Sequence, residues 1–190
     1  MAVKIGVMGA KGSFSEEAAR VYAKKHANLK KFTILYLITA ENVLSELEKG
    51  AIDIAIFPIE NSNGGIVIEA VYAMARHNFR IKKMFDIDIH HCLLVKNGIT
   101  ADAIKTIVSH DQALKQCRMY LKRAWPKVKL QEYADTAKAA EDLAKGKLPK
   151  TSAVIASRAA AELYKLGIFE ESIQDLKFNY TSFIAAEKLR

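Results

Sequence analysis

This 190-residue sequence predicts an α/β fold of two lobes. Strand-like and helix-like segments alternate from end to end, with no long Pro-, Gly- or Ser-rich linker between them. Residues 81–95 and 176–186 each form an extended segment exceeding the usual strand length of about 3 to 10 residues, so each can carry the chain between lobes. A hydrophobic content of 51% is enough for a substantial core. Two crossings divide the chain into lobe 1, residues 1–82 with 170–190, and lobe 2, residues 83–169. A cleft between such lobes is a common place for a small-molecule site.

Val3, Ile5 and Val7 alternate as in a first strand. The turn Gly9-Ala10-Lys11-Gly12-Ser13-Phe14-Ser15 then leads into a helix over 15–25. Ser13 and Glu16 have capping-box spacing, Ser15 is an alternative N-cap, and Glu16 and Glu17 suit the positive helix end. Residues 32–37 read as a second strand and 40–49 as a helix ended by Gly50. Residues 52–57 read as a third strand stopped by Pro58. A polar loop and a helix over 66–76 precede the first long extended segment. Beyond it lie a strand at Ile107 and Val108, a helix over 111–123, a strand over 129–133 and a helix over 136–145. Strand 153–155 and helix 157–166, capped by Gly167, complete the series.

The net charge of +8 admits nucleic acid, a membrane surface or an acidic metabolite as partner. The densest basic stretch, residues 115–129, suits the wet face of a helix whose other side carries Leu114, Cys117 and Leu121. No nucleic-acid module accompanies it, so no nucleic-acid partner is expected. No apolar run approaches the roughly 20 residues of a membrane span. The N-terminus lacks the apolar core of a signal peptide, so the expected compartment is the cytoplasm, without a membrane partner. Cys92 and Cys117 lack CxxC spacing and read as packed thiols; no metal or cofactor is expected.

Four polar clusters fall where an α/β fold places ligands. Gly9–Ser15 combines glycines that allow close backbone approach with the free N–H groups of a helix start, and reads equally as a helix cap or as an anion site. Pro58-Ile59-Glu60-Asn61-Ser62-Asn63-Gly64-Gly65 is denser in hydrogen-bonding groups than a turn requires, although an Asx turn accounts for Asn61 to Gly65. Ser109-His110-Asp111-Gln112, ahead of Ala113 and Leu114, again opens a helix, with Ser109 or Asp111 as its cap. Alternation on the second crossing strand puts Asn179 and Thr181 on one face, opposite Tyr180 and Ser182. His90 and His91 sit consecutively on the first crossing, one facing inward and one outward.

Together these segments resemble the catalytic domain of prephenate dehydratases. The resemblance is carried by Gly9–Ala19, Pro58–Ser62 with Gly65 and Val67, and Ser109–Leu114 with Gln116-Cys117. Further on it includes Thr136-Ala137, residues 153–161, and Asn179, Thr181 and Phe183. It implies a fold akin to type II periplasmic binding proteins, with the site in the inter-lobe cleft, and a homodimer. It also implies conversion of prephenate to phenylpyruvate on the route to phenylalanine. Thr181 would be the proton donor or relay, with Asn179 beside it as a catalytic residue. Lys11, Ser13, Phe14, Ser15, Glu60, Asn61, Ser62, Ser109, His110, Gln112, Ala113, Leu114, Thr136 and Phe183 would form the substrate-binding set. Glu60 would orient its loop rather than touch a dianion.

The departures are equally specific. Ser182 stands where the family's final motif carries Arg, Ala10 replaces a usual Pro, Lys11 a frequent acid, and Ile66 a usual Ser. A positive Lys11 is expected to offset the missing guanidinium as a point charge, without its bidentate fork. The family's regulatory ACT domain has no counterpart in the sequence, so feedback through such a domain is not expected. Two rival readings stay open: a decarboxylase that leaves the ring non-aromatic, and a non-catalytic small-anion binding or regulatory module. Retention of Thr181 and Pro58–Ser62 weighs against the first, and Ser182 favours the second.

Overall fold

In a computed structural model describing residues 2–189, the alternating Val3–Val7 segment forms β1. It is followed by α1 (Phe14–Val21), a π turn at Tyr22–His26, β2 (Phe32–Tyr36) and α2 (Ala40–Lys49). Next come β3 (Ile54–Asn61), β4 (Gly65–Ile66), α3 (Ile68–Met74) and β5 (Phe79–Asp88). After β6 (Cys92–Val95) the chain runs through β7 (Thr106–Ser109), α4 (Asp111–Gln116), α5 (Arg118–Ala124), β8 (Lys129–Glu132) and α6 (Thr136–Ala144). It ends with β9 (Ser152–Ala156), α7 (Arg158–Tyr164), β10 (Gly167–Glu170) and β11 (Tyr180–Lys188).

These elements make two compact units, Met1–Asp88 with Tyr180–Arg190, and Ile89–Asn179. The exchange points therefore lie later in the chain than 82/83 and 169/170. β5 pairs with β11 out to Asp88 opposite Tyr180, which keeps all of β5 in the first unit. Ile173 N–H donates to the His91 carbonyl and Asp175 N–H to the Gln116 carbonyl, which keep the run before β11 in the second.

The first unit has a mixed sheet ordered β2-β1-β3-β11-β5, with β4 added to β3. β1 lies parallel to β2 and β3, and β11 antiparallel to β3 and β5. Its core gathers Leu44, Leu47, Phe57 and Ile184, all essentially inaccessible. Each such side chain contributes about 1.5 to 3 kcal/mol by leaving water. Pro58 does not stop β3. It lies beyond the part of β3 paired with β1, and its β11 partner Phe183 adjoins a register shift, so the missing N–H costs no regular ladder bond. Gly50, at φ 78°, ends α2 in the left-handed conformation that glycine adopts without a Cβ clash.

The second unit carries the sheet β10-β6-β9-β7-β8. The helix expected over 111–123 is two helices. Cys117 leaves helical geometry (φ −110°, ψ 14°), and the Asp175 carboxylate accepts the freed N–H groups of Met119 (2.7 Å) and Tyr120 (2.8 Å) at the start of α5. A carboxylate distant in sequence thus caps a helix with no cap of its own. The extended segment 81–95 is likewise two strands, interrupted at Ile89–His91. Lys165, at φ 56°, ends α7, and Gly167 opens a strand rather than capping the helix. Cys92 and Cys117 are free and buried. Among the described residues, no helix is long and apolar enough to cross a membrane.

Candidate functional site

The candidate residues fall into two groups, one in each unit. In the first unit, β3 and β11 pair antiparallel so that Asn61 lies opposite Thr181. Asn61 Oδ1 accepts the backbone N–H groups of Asn63 (3.0 Å) and Gly64 (2.8 Å), closing an Asx turn. Those two donors need an acceptor and so fix which end of the amide is oxygen. Asn61 Nδ2 therefore donates to the Tyr180 carbonyl (3.1 Å) and to Thr181 Oγ1 (2.8 Å). Thr181, 9% exposed, accepts with its hydroxyl oxygen, and its own proton has no acceptor among the described residues.

Ser62 repeats the pattern. Its Oγ accepts the Tyr180 N–H at 3.0 Å while its backbone N–H donates to the Tyr180 carbonyl at 2.8 Å. Two hydroxyl groups with uncommitted protons thus stand at the same end of the β3–β11 ladder. The turn that brings Ser62 there closes at Gly65, whose φ of 76° suits glycine. Glu60 is exposed on β3 in register with Ser182.

The Gly9–Ser15 turn is partly filled by the protein itself. Ser13 is the N-cap of α1, its hydroxyl accepting the Glu16 N–H at 3.3 Å. Glu16 reaches back to the Gly12 N–H at 2.8 Å and is held by Arg20 at 2.6 Å. Burial alone would raise the Glu16 pKa; the Gly12 N–H, Arg20 and Tyr36 outweigh it and hold the carboxyl below its ordinary value. The anion at this helix start is thus Glu16. Ser15, 7% exposed, keeps a hydroxyl with no partner among the described residues; Phe14 is half-buried and Lys11 exposed. Gly9 has φ 130°, and a Cβ there would come within 2.8 Å of Ser13 Oγ, so a side chain at position 9 would strain the backbone and displace Ser13.

Two expected positions on β11 have other neighbours. Phe183, 1% exposed, stacks on Phe85 at 6.1 Å between ring centres, so its ring belongs to the core and not to a binding surface. Ser182 Oγ donates to Asp86 Oδ1 at 2.5 Å. Adjacent strand residues point to opposite faces, so Ser182 and Thr181 lie on opposite sides of the sheet.

In the second unit, Ser109 is fully buried and donates its hydroxyl to the Ile155 carbonyl at 2.7 Å. The cap of α4 is neither Ser109 nor Asp111 but His110, whose Nδ1 accepts the Gln112 N–H at 3.2 Å and so carries no proton there. Ala113 and Leu114 pack in the core, and both N–H groups donate to the His110 carbonyl, which leaves them nothing to offer a ligand. The half-buried side chains of Gln112 and Thr136 have no hydrogen-bond partner among the described residues. Thr136 opens α6 behind its cap, Asp135.

Asn179 is inaccessible, and its Nδ2 donates to Gln116 Oε1 at 3.0 Å. The same oxygen lies 2.7 Å from His91 Nε2. An amide oxygen only accepts, so His91 is protonated at Nε2, and burial lowers its pKa toward the neutral form. His90 is exposed and His91 buried, although both lie in the break between β5 and β6 rather than on a strand. Sequence reasoning noted Gln116 without a role; its contact with His91 and Asn179 had no local signal.

The family model described as prephenate dehydratase matches residues 5–189. The chain is 35% identical over 184 residues to arogenate dehydratase 5, chloroplastic, of Arabidopsis thaliana, covering 96% of this chain and 41% of that protein. It is 31% identical over 183 residues to the bifunctional chorismate mutase/prephenate dehydratase of Enterobacter agglomerans, covering 96% and 46% respectively. The chain therefore spans less than half the length of these relatives. A prephenate dehydratase from Arthrobacter aurescens, solved in complex with L-Phe, superposes with a TM-score of 0.88 at 27% identity, covering 99% of this chain and 61% of that one. A periplasmic substrate-binding protein of an ABC transporter from Coxiella burnetii shares the fold alone, with a TM-score of 0.52, 15% identity and coverage of 98% and 84%.

Proposed function

The chain belongs to the prephenate dehydratase family, and from that premise we propose that it converts prephenate to phenylpyruvate. The observation that carries the proposal is the Asn61–Thr181 hydrogen bond, which occupies the threonine oxygen and leaves its proton to be donated. In the reaction the bond from the ring to its carboxylate breaks and carbon dioxide leaves. That electron pair enters the ring, and the ring C–O bond breaks. Thr181 protonates the departing hydroxide to water and recovers a proton from solvent, so prephenate dianion plus one proton gives phenylpyruvate, carbon dioxide and water. Aromatisation supplies much of the driving force, and well-placed proton transfer is worth about 10² to 10⁴ in rate.

Ser62 and Ser15 are the candidates in the first unit for hydrogen bonds to substrate oxygens. Asn179 is a positioning residue: its amide sits on Gln116 and its carbonyl accepts the Ile89 N–H at 2.7 Å, tying together the two chain segments that leave the second unit. We further propose a homodimer, by resemblance, and a reducing compartment such as the cytoplasm, where buried free thiols persist.

The test is product analysis with prephenate and arogenate offered separately. Phenylpyruvate from prephenate supports the proposal. A non-aromatic dihydro product, or saturable binding without turnover in the presence of active control enzyme, sinks it. Sedimentation velocity tests the dimer.

A further inference from the structure

Ile38, between β2 and α2, has a φ of 68°. Glycine takes such a backbone freely and asparagine tolerates it, but a β-branched side chain is strained there. The Thr39 N–H donates to the Leu37 carbonyl at 2.8 Å, which closes a three-residue γ turn centred on Ile38. With a positive φ at its centre, such a turn is rare and strained. Asn42 Nδ2 donates to the same carbonyl at 3.0 Å, and Thr39 Oγ1 accepts the Asn42 N–H at 3.1 Å. These bonds hold the strained turn in place.

Packing gives no reason for an isoleucine at this position. Leu35 and Leu37 lie against the core of the first unit, whereas Ile38 is 57% exposed. An exposed position with this backbone suits glycine, which would relieve the strain and expose less apolar surface. Strain that the surrounding fold holds but does not need is characteristic of ligand sites.

The sheet topology puts Ile38 at such a site. The parallel ladder sets Tyr36 opposite Val7, and the Leu37 N–H, donating to the Val7 carbonyl at 3.0 Å, carries the contact one residue further. Ile38 therefore leaves β2 at the level where β1 gives way to the Gly9–Ser15 turn. Tyr36 hydrogen-bonds to Glu16, the carboxylate that holds the Gly12 N–H, so β2 and that turn are tied together. This is the carboxyl end of parallel strands, where α/β folds take their ligands. Ser15 keeps its partnerless hydroxyl at the same end.

We infer that Ile38 is a substrate-contacting residue, its γ turn presenting an apolar side chain to the ring of the bound acid beside the hydrogen-bonding Gly9–Ser15 turn. The inference rests on the proposed dehydratase reading for the identity of that acid. Glycine would fit the backbone but leave the ring in water, which accounts for a strained isoleucine in its place.

The test compares Ile38→Gly, Ile38→Ala and Ile38→Val by steady-state kinetics with prephenate and by thermal melts. Gly and Ala remove the apolar surface and should each raise KM about five- to tenfold with little change in kcat, while Val should stay within about threefold of the parent KM. The glycine variant should melt above the alanine variant, because a Cβ is strained at this φ; at an ordinary φ the order is the reverse. An unchanged KM in both the Gly and Ala variants overturns the inference, and so does a glycine variant that melts below the alanine one. A parent that binds prephenate without forming phenylpyruvate sinks the dehydratase reading alone; Ile38 is then judged by the prephenate Kd from calorimetry on the same variants, by the same criteria. A parent that neither binds nor converts prephenate overturns both.

Discussion

Asn61 and Thr181, 120 residues apart, meet across an antiparallel ladder with the amide nitrogen 2.8 Å from the hydroxyl oxygen. In that bond the amide donates and the hydroxyl accepts, which leaves the hydroxyl proton without an acceptor among the described residues. The opposite end of the Asn61 amide independently closes the Asn61–Gly64 turn.

Asn61→Asp keeps an acceptor for the Asn63 and Gly64 N–H groups but puts a carboxylate oxygen where the amide donor was. The Thr181 proton then turns to that carboxylate. The expected result is a fall in kcat of about 10² to 10³ with little change in KM or melting temperature. Steady-state kinetics and a thermal melt check it, and wild-type kcat in this variant would remove the proposed role.

Thr181→Val removes the proton and keeps the volume, so kcat should fall by about 10² to 10⁴, while Thr181→Ser should restore most of the activity. Loss of substrate affinity without loss of kcat would place Thr181 in binding instead.

Ser182→Arg reinstates the family residue in register with Asp86 and Glu60. The new guanidinium has two carboxylates to pair with on the face of the sheet away from Thr181. Stability should change by no more than about 1 kcal/mol, and kcat should be little altered. Lys11→Met tests Lys11 as a substrate contact in its own right: a rise in KM for prephenate with unchanged kcat is expected, and an unchanged KM removes Lys11 from the binding set.

His77 bridges two carboxylates, with Nδ1 2.8 Å from Glu48 and Nε2 3.0 Å from Glu41. The protonated ring donates to both carboxylates. The Glu48 hydrogen bond raises the His77 pKa; burial opposes it and Glu41 adds to it. A raised histidine pKa means that this stabilisation is complete below the ordinary value of about 6.5 and is lost as pH rises through the folded value. The same contact lowers the Glu48 pKa, so its share is present above the ordinary carboxylate range and lost on acidification. Melting temperature should therefore decline as pH rises from slightly acidic to mildly alkaline, and His77→Gln should flatten that decline.

Asp175→Ala should destabilise the second unit by about 1 to 2 kcal/mol by leaving the Met119 and Tyr120 N–H groups without their carboxylate. Urea unfolding measures it; Asp175→Asn should recover part of the loss.

Much of the fold was legible because its signals are local. The Ser13 cap of α1, the Gly50 end of α2 and the alternation in β1 each depend on residues within one turn or a few strand positions. The Asx turn over Asn61 to Gly65 was legible too, whereas Thr181 stood out only through the resemblance to prephenate dehydratases. Partnerships across the chain were not. Nothing near Cys117 announced that Asp175 would split its helix, nothing near Asn179 that its amide would be spent on Gln116, and nothing near Pro58 that a register shift would let β3 continue. The sequence determined which segments form strands and helices and which polar residues they present. Tertiary structure alone decided which donor each acceptor received, since a hydrogen bond reaches only about 3 Å and its partners become neighbours only when the strands pair.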